Sequence, residues 1–272
     1  MIGILEAVKK GFGVATKSLG LVVILFLFNL AGSLASLPFA GQAQATAEGA
    51  AVPQLTIGVI IFSAVFILLS IFFQGATIGL IRDAVKAGKM QLSQLVPYGL
   101  KYYLRLLILG IIIVLLVAVV ALIIGLLIAV VMPLNNVLVT GIAIAIAVAI
   151  AIFTALQYFI PLMMSPYALV CEEAGAVEAM KKSLSLCKKP FSRVFSLLLL
   201  FIILILISLG IGFVVGILVG LISAATPANV GRIVMSVMTS AVNGYLGVVM
   251  MGSFMVFYLS MAGKPQATEK VF

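Results

Sequence analysis

Six long apolar runs separated by short polar segments set the pattern of this chain, at residues 19–37, 55–81, 102–132, 137–165, 194–223 and 233–261. A helix needs about 20 residues to cross ~30 Å of hydrocarbon at ~1.5 Å per residue. Most of the runs exceed that, so they must tilt, kink or project beyond the hydrocarbon. Residues 142–153, IAIAIAVAIAIF, alternate as a strand would. A lone strand cannot satisfy its backbone in lipid, so this segment too is expected to be helical. The first run is flanked like a secretory leader, by Lys9, Lys10 and Lys17 before it and small residues at 41–47 after it. It is longer than the usual ~7–15-residue leader core, and further runs follow, so a retained first span is expected. The pattern predicts an all-α fold, a polytopic membrane bundle of about six transmembrane helices in three hairpins.

Composition agrees. Of 272 residues, 65% are hydrophobic and 8% charged, with mean hydropathy +1.40. A soluble domain carries roughly a quarter charged residues. The net charge of +9 is assigned to topology and anionic lipid rather than to nucleic acid, because the basic residues cluster between the runs. Fourteen of the sixteen Lys and Arg lie before run one, between two and three, between four and five, or after six, and Arg105 stands in the first turn of run three on the same side; Arg232 is the exception. Positive charge stays on the cytoplasmic side, so a multi-pass protein of the cell (plasma or inner) membrane with both termini cytoplasmic is expected. The opposite segments are too short to form an external domain.

Several kinds of chemistry are excluded or disfavoured. There is no His and no Trp, which removes Ser-His-Asp and Cys-His systems and the commonest metal ligand. Cys171 and Cys187, 16 residues apart, match no zinc spacing. No phosphate loop or nucleophile–base pair is found. No enzyme, no cofactor and no metal are expected. Glu172 and Glu173, the best acids for a membrane enzyme, have no recognisable partner set.

Short motifs recur. Glu6-Ala7-Val8-Lys9-Lys10 resembles Glu178-Ala179-Met180-Lys181-Lys182, and Ala-Gly pairs follow runs two, four and six at 87–88, 174–175 and 262–263. One membrane domain, 1–272, with internal repeats near 1–89, 90–176 and 177–264 is the expectation. Each unit would be an amphipathic lead-in followed by a helical hairpin, the middle one matching least well. In 176–189, Glu178, Lys181, Lys182, Ser185, Lys188 and Lys189 share roughly a third of a helical wheel, opposite Val177, Ala179, Met180, Leu184, Leu186 and Cys187. Such a helix would lie in the headgroup plane with its lysines toward anionic phosphates, or serve as a connector packed on the bundle. Leu5, Val8, Phe12 and Ala15 form a similar stripe near the N-terminus, where Gly11 and Gly13 weaken the helix.

Around this segment the chain resembles a known group. Residues 166–195, PYALVCEEAGAVEAMKKSLSLCKKPFSRVF, carry a proline-terminated span, an acidic residue, Gly, then Glu-Ala-x-basic-basic-Ser and a basic-aromatic entry to the next span. Pro166, Glu172 or Glu173, Gly175, Glu178, Ala179, Lys181 or Lys182, Ser183, Lys188 and Phe191 occupy those places. The motif is similar to that of six-span bacterial and archaeal membrane proteins of mostly unknown function, among them the membrane domain of some glycerophosphodiester phosphodiesterases. The resemblance implies a fold and no catalysis, since no polar segment is long enough for the soluble barrel.

Within the spans the candidate polar residues are uncharged: Asn29, Gln74, Gln157 and Asn243. They are expected either to bond across helices or to line a solute path. Gly212, Gly216 and Gly220 recur every four residues, a spacing that lets helix backbones approach, within the bundle or at a homo-oligomer seam. Two functions are carried forward. One is a non-catalytic module organising anionic lipid or a partner protein through a basic cytoplasmic face formed by Glu172, Glu173, Glu178, Lys181, Lys182, Lys188 and Lys189. The other is a small permease for an uncharged or lipid-like substrate. Missing intramembrane charge favours the first.

Overall fold

The structure, a computed structural model, describes residues 3–47, 57–131, 133, 137–188, 192–225 and 228–263. Lys189 and Phe191 lie outside the described residues, as does the side chain of Lys188. The described chain is all-α, without a strand, and has six helical stretches long and apolar enough to cross a membrane. In order the helices are α1 (Ile4–Lys17), α2 (Leu19–Ala47), α3 (Ile57–Ala87), α4 (Leu95–Val131), α5 (Val137–Thr154), α6 (Ile160–Leu162), α7 (Ser165–Glu172), α8 (Ala176–Lys188), α9 (Ser192–Ala225) and α10 (Ala228–Met261). The alternating run at 142–153 is helical, as backbone satisfaction in lipid requires. α2 continues past Pro38 to Ala47, through an Ala- and Gln-rich stretch of good helix formers.

The chain divides into two compact units, Met1–Lys101 with Leu199–Phe272, and Tyr102–Leu198. In the first, α1, α2 and α3 all pack on α10. Every residue from Gly252 to Leu259 is buried, so this end of α10 is apolar all round and enclosed by protein. The contact is close because the facing residues are small. α1 buries Ala7, Val8, Gly11, Val14 and Ala15. A Cβ at Gly11 would stand 2.6 Å from the Val249 carbonyl oxygen. Gly11 is therefore the position that lets α1 touch α10, rather than the weak point in α1 that propensity suggested. The expected stripe is correspondingly rotated: Val8 and Ala15 are buried, Phe12 is half-buried, and Leu5 is exposed.

Helix ends are built by three left-handed residues. Gly88 follows α3 and Gly263 follows α10, both with φ near +65°: 68° and 65° respectively. The Gly88 N–H donates to the Ala84 carbonyl at 3.0 Å, closing the last turn. These are the glycines of the first and third Ala-Gly pairs. After α7 the left-handed residue is Glu173 (φ 55°) instead of Gly175. A side chain is disfavoured there, and an added contact holds the turn: Arg105 Nη1 donates to the Glu173 carbonyl at 2.7 Å.

In the second unit the two prolines shape the path from α5 to α7. Pro161 has no N–H and its ring crowds the carbonyl four residues back, at Gln157. The chain responds with a π-helical turn over Ala155–Phe159 before α6. Pro166 falls in the first turn of α7, where a missing N–H costs nothing.

Candidate functional site

The signature segment resolves into a clasp within the second unit. α8 buries Ala176, Ala179, Ser183 and Cys187 and packs on α6 and α7. The Ser183 hydroxyl donates to the Pro161 carbonyl, which also receives the Met164 N–H at 3.0 Å. Lys182 pairs with Glu172. The acidic residue, the alanine, the lysine and the serine of the motif thus meet in one turn-and-helix arrangement, and the proline they meet is Pro161, five residues before the motif's own Pro166. Ala7, the counterpart of Ala179 in the N-terminal Glu-Ala-x-Lys-Lys, is also fully buried, and Lys10 pairs with Glu6 at 3.2 Å. Glu173, Glu178 and Lys181 are exposed. Val177, placed on the apolar side by the sequence, is exposed as well. The face that α8 buries is its small-residue face, set against protein.

A second cluster lies where α3 meets the start of α4. Arg82 Nε donates to Asp83 Oδ1 at 3.0 Å, Nη2 lies 2.9 Å from the same oxygen, and the Tyr98 hydroxyl donates to Oδ2 at 2.5 Å. The guanidinium lies 5.2 Å from the centre of the Tyr98 ring. Gly79, one turn back from Asp83, leaves room for that ring; a Cβ there would approach Tyr98 Cδ2 to 2.8 Å. Asp83 and Tyr98 were not singled out from the sequence, although an acid beside an Arg at a span end was a readable signal.

A site with room for a ligand is a cavity of about 720 Å³ in the first unit. Asn29 on α2, Ser70, Gln74 and Thr77 on α3, and Thr239 and Asn243 on α10 supply its polar groups, and Ser208 adds one from α9; the Ser70 hydroxyl donates to the Phe66 carbonyl of its own helix. Asn29 lies ten residues into α2, and Gln74 thirteen before the end of α3. At ~1.5 Å per residue these are roughly 15–20 Å along each helix, about half of ~30 Å of hydrocarbon. The apolar wall includes Phe28 and Phe73, whose ring centres are 4.3 Å apart, with Met235, Met250 and Met251. None of the lining residues is ionisable. Thr77 is completely buried, and its Oγ1 has no hydrogen-bond partner among the described residues. A buried hydroxyl without a partner is uncommon in a folded protein and calls for an explanation.

Three of the four amides singled out from the sequence therefore meet in one place. Gln157 does not; it is exposed on the π turn of the second unit. The glycine expectation also changes. A Cβ added at Gly212, Gly216 or Gly220 would meet nothing within 4 Å, so among the described residues no neighbouring helix packs on this stripe. Gly212 and Gly216 line the cavity instead. The close approaches are at Gly11 and Gly244, the latter with its would-be Cβ 2.8 Å from the Phe26 amide nitrogen of α2. No group of His, Cys, Asp and Glu that could hold a metal occurs among the described residues. Cys171 and Cys187 are both buried and are not joined in a disulfide.

A family model described as a domain of unknown function, DUF7847, matches residues 2–261. The chain belongs to this family. No curated protein and no solved structure matches it. Nothing in these comparisons ties the family to the glycerophosphodiester phosphodiesterase membrane domain, so that likeness rests on the signature motif. What is established is an all-α chain of a family of unknown function, with six apolar helices that suit a multi-pass membrane protein.

Proposed function

We propose that this protein binds an uncharged, membrane-soluble molecule in the cavity of its first unit, the step on which a small permease for lipid-like substrates would depend. One observation carries the reading: side-chain amides from α2, α3 and α10 converge on a cavity whose wall contains no ionisable residue. Such groups orient a ligand by hydrogen bonds without asking it to bring a charge into hydrocarbon. The geometry gives less to a scaffold acting through basic residues. Lys182 is engaged by Glu172, Ser183 points inward, and α8 spends its small-residue face on α6 and α7.

The reading is tested by access. In a Cys171→Ser, Cys187→Ser background, Thr239→Cys should react with a small hydrophobic maleimide in membrane vesicles. Adding Gly216→Leu, which puts a side chain into the cavity, should slow that reaction at least several-fold. Equal rates with and without the leucine would mean that the reagent does not arrive through the cavity, and the proposal would fall.

Orientation follows from the charge partition and has its own test. The native cysteines are poor reporters because both are buried. Lys181 and Arg232 are exposed, so Lys181→Cys should react with an impermeant thiol reagent after permeabilisation and Arg232→Cys in intact cells. The reverse pattern would invert the topology.

A further inference from the structure

Resting on the cavity reading, we propose that the ligand is a neutral lipid with a free hydroxyl, seated with that hydroxyl among Thr77, Gln74 and Asn243. Three features of the cavity point to this class. An anionic or zwitterionic headgroup would find no counter-charge on the wall, and an unpaired charge half-way along these helices is costly. A purely hydrocarbon ligand would leave the amides and Thr77 Oγ1 facing apolar atoms, which is also unfavourable. A hydroxyl both donates and accepts, and so satisfies a threonine hydroxyl and a side-chain amide together. The rest of the wall suits a flexible chain. Phe28 and Phe73 give a flat apolar surface, and Met235, Met250 and Met251 adapt to irregular shapes. Gly212 and Gly216 keep the α9 side smooth, having no neighbour within 4 Å. A volume of about 720 Å³ lies within the ~300–1,000 Å³ of single-ligand sites.

Thr77 is the residue that separates a seat for a hydroxyl from a greasy crevice. Its burial is complete and its Oγ1 is unpartnered among the described residues, although a helical threonine commonly bonds a carbonyl of the preceding turn. Thr77→Val keeps the shape and removes the hydroxyl.

The test uses full-length protein in phosphatidylcholine vesicles doped with one of three diazirine-bearing probes: a diacylglycerol, the same diacylglycerol with its hydroxyl acetylated, or a phosphatidylglycerol. The diacylglycerol should cross-link to α2, α3 and α10 peptides several-fold more than the other two. Thr77→Val should reduce its cross-linking about five-fold, the loss of one hydrogen bond, with unchanged melting in detergent. Gly216→Leu should reduce all specific labelling. Equal labelling by all three probes, still blocked by Gly216→Leu, would overturn the hydroxyl-lipid class and leave the cavity reading standing. Labelling of the wall by none of them would remove both.

Discussion

Alanine at Gly11 or at Gly244 is expected to destabilise the first unit by about 2–3 kcal/mol, while alanine at Gly212 or Gly216 leaves it as stable or slightly more so. The sign is set by what the new methyl group meets. At Gly11 it would lie 2.6 Å from the Val249 carbonyl oxygen and 2.9 Å from the Ser253 amide nitrogen; at Gly244 it would lie 2.8 and 3.0 Å from the Phe26 nitrogen and Cα. These neighbours are backbone, so relief means moving a helix, and favourable carbon contacts begin only at ~3.5 Å. Within lipid there is no hydrophobic drive to hold helices together, and close packing carries the association. At Gly212 and Gly216 a methyl meets nothing within 4 Å, and the helix gains up to ~1 kcal/mol of propensity. Thermal melts followed by size-exclusion chromatography in detergent should show a drop of several degrees for the first pair. A Gly11→Ala protein that melts with the wild type would refute the tight α1–α10 crossing.

The second large effect is expected at Asp83. Replacing it with leucine removes the carboxylate that accepts from Arg82 and from the Tyr98 hydroxyl. It leaves a guanidinium whose side chain is 13% exposed. Breaking a fully buried pair in this way costs about 3–5 kcal/mol. Asp83 is 31% exposed, and water reaching it lowers the expected loss to about 2 kcal/mol. Tyr98→Phe, which removes one hydrogen bond and keeps the ring under Arg82, should cost about 1 kcal/mol. The double variant Arg82→Leu, Asp83→Leu should recover most of the loss, because the guanidinium is removed together with the carboxylate it faces. If it melted as low as the single Asp83→Leu variant, the pairing account would be wrong and packing by the aspartate would have to explain the loss.

Much of the candidate site is legible in the sequence. Asn29, Gln74 and Asn243 stand out because an amide in an apolar run is rare and expensive to leave unbonded. That they face one cavity was not visible, and Gln157 shows why. It has the same chemistry in a similar run, yet it sits on a π turn before Pro161 in the second unit and does not line the cavity. Thr77 was missed for a related reason: threonine in a helix ordinarily satisfies itself, so its unpartnered hydroxyl exists only in three dimensions. In the signature segment, residue identities pointed to an amphipathic helix led in by an acidic residue and a glycine. The structure decided which face is buried, and it chose Ala176, Ala179, Ser183 and Cys187.

The number of spans, their helical state and the exclusion of histidine chemistry were determined by the sequence itself, because run length and composition act locally and lipid permits few backbone structures. Which side of each span meets protein, which glycines are crossings and where a cavity remains were decided by tertiary structure. In water the polar face of a helix marks its outside and gives the hydrophobic pattern a phase. In a bilayer the lipid-facing and protein-facing sides are both apolar, so Gly216 and Gly244 read alike along the chain. They differ only in that one faces open space and the other faces the backbone of α2.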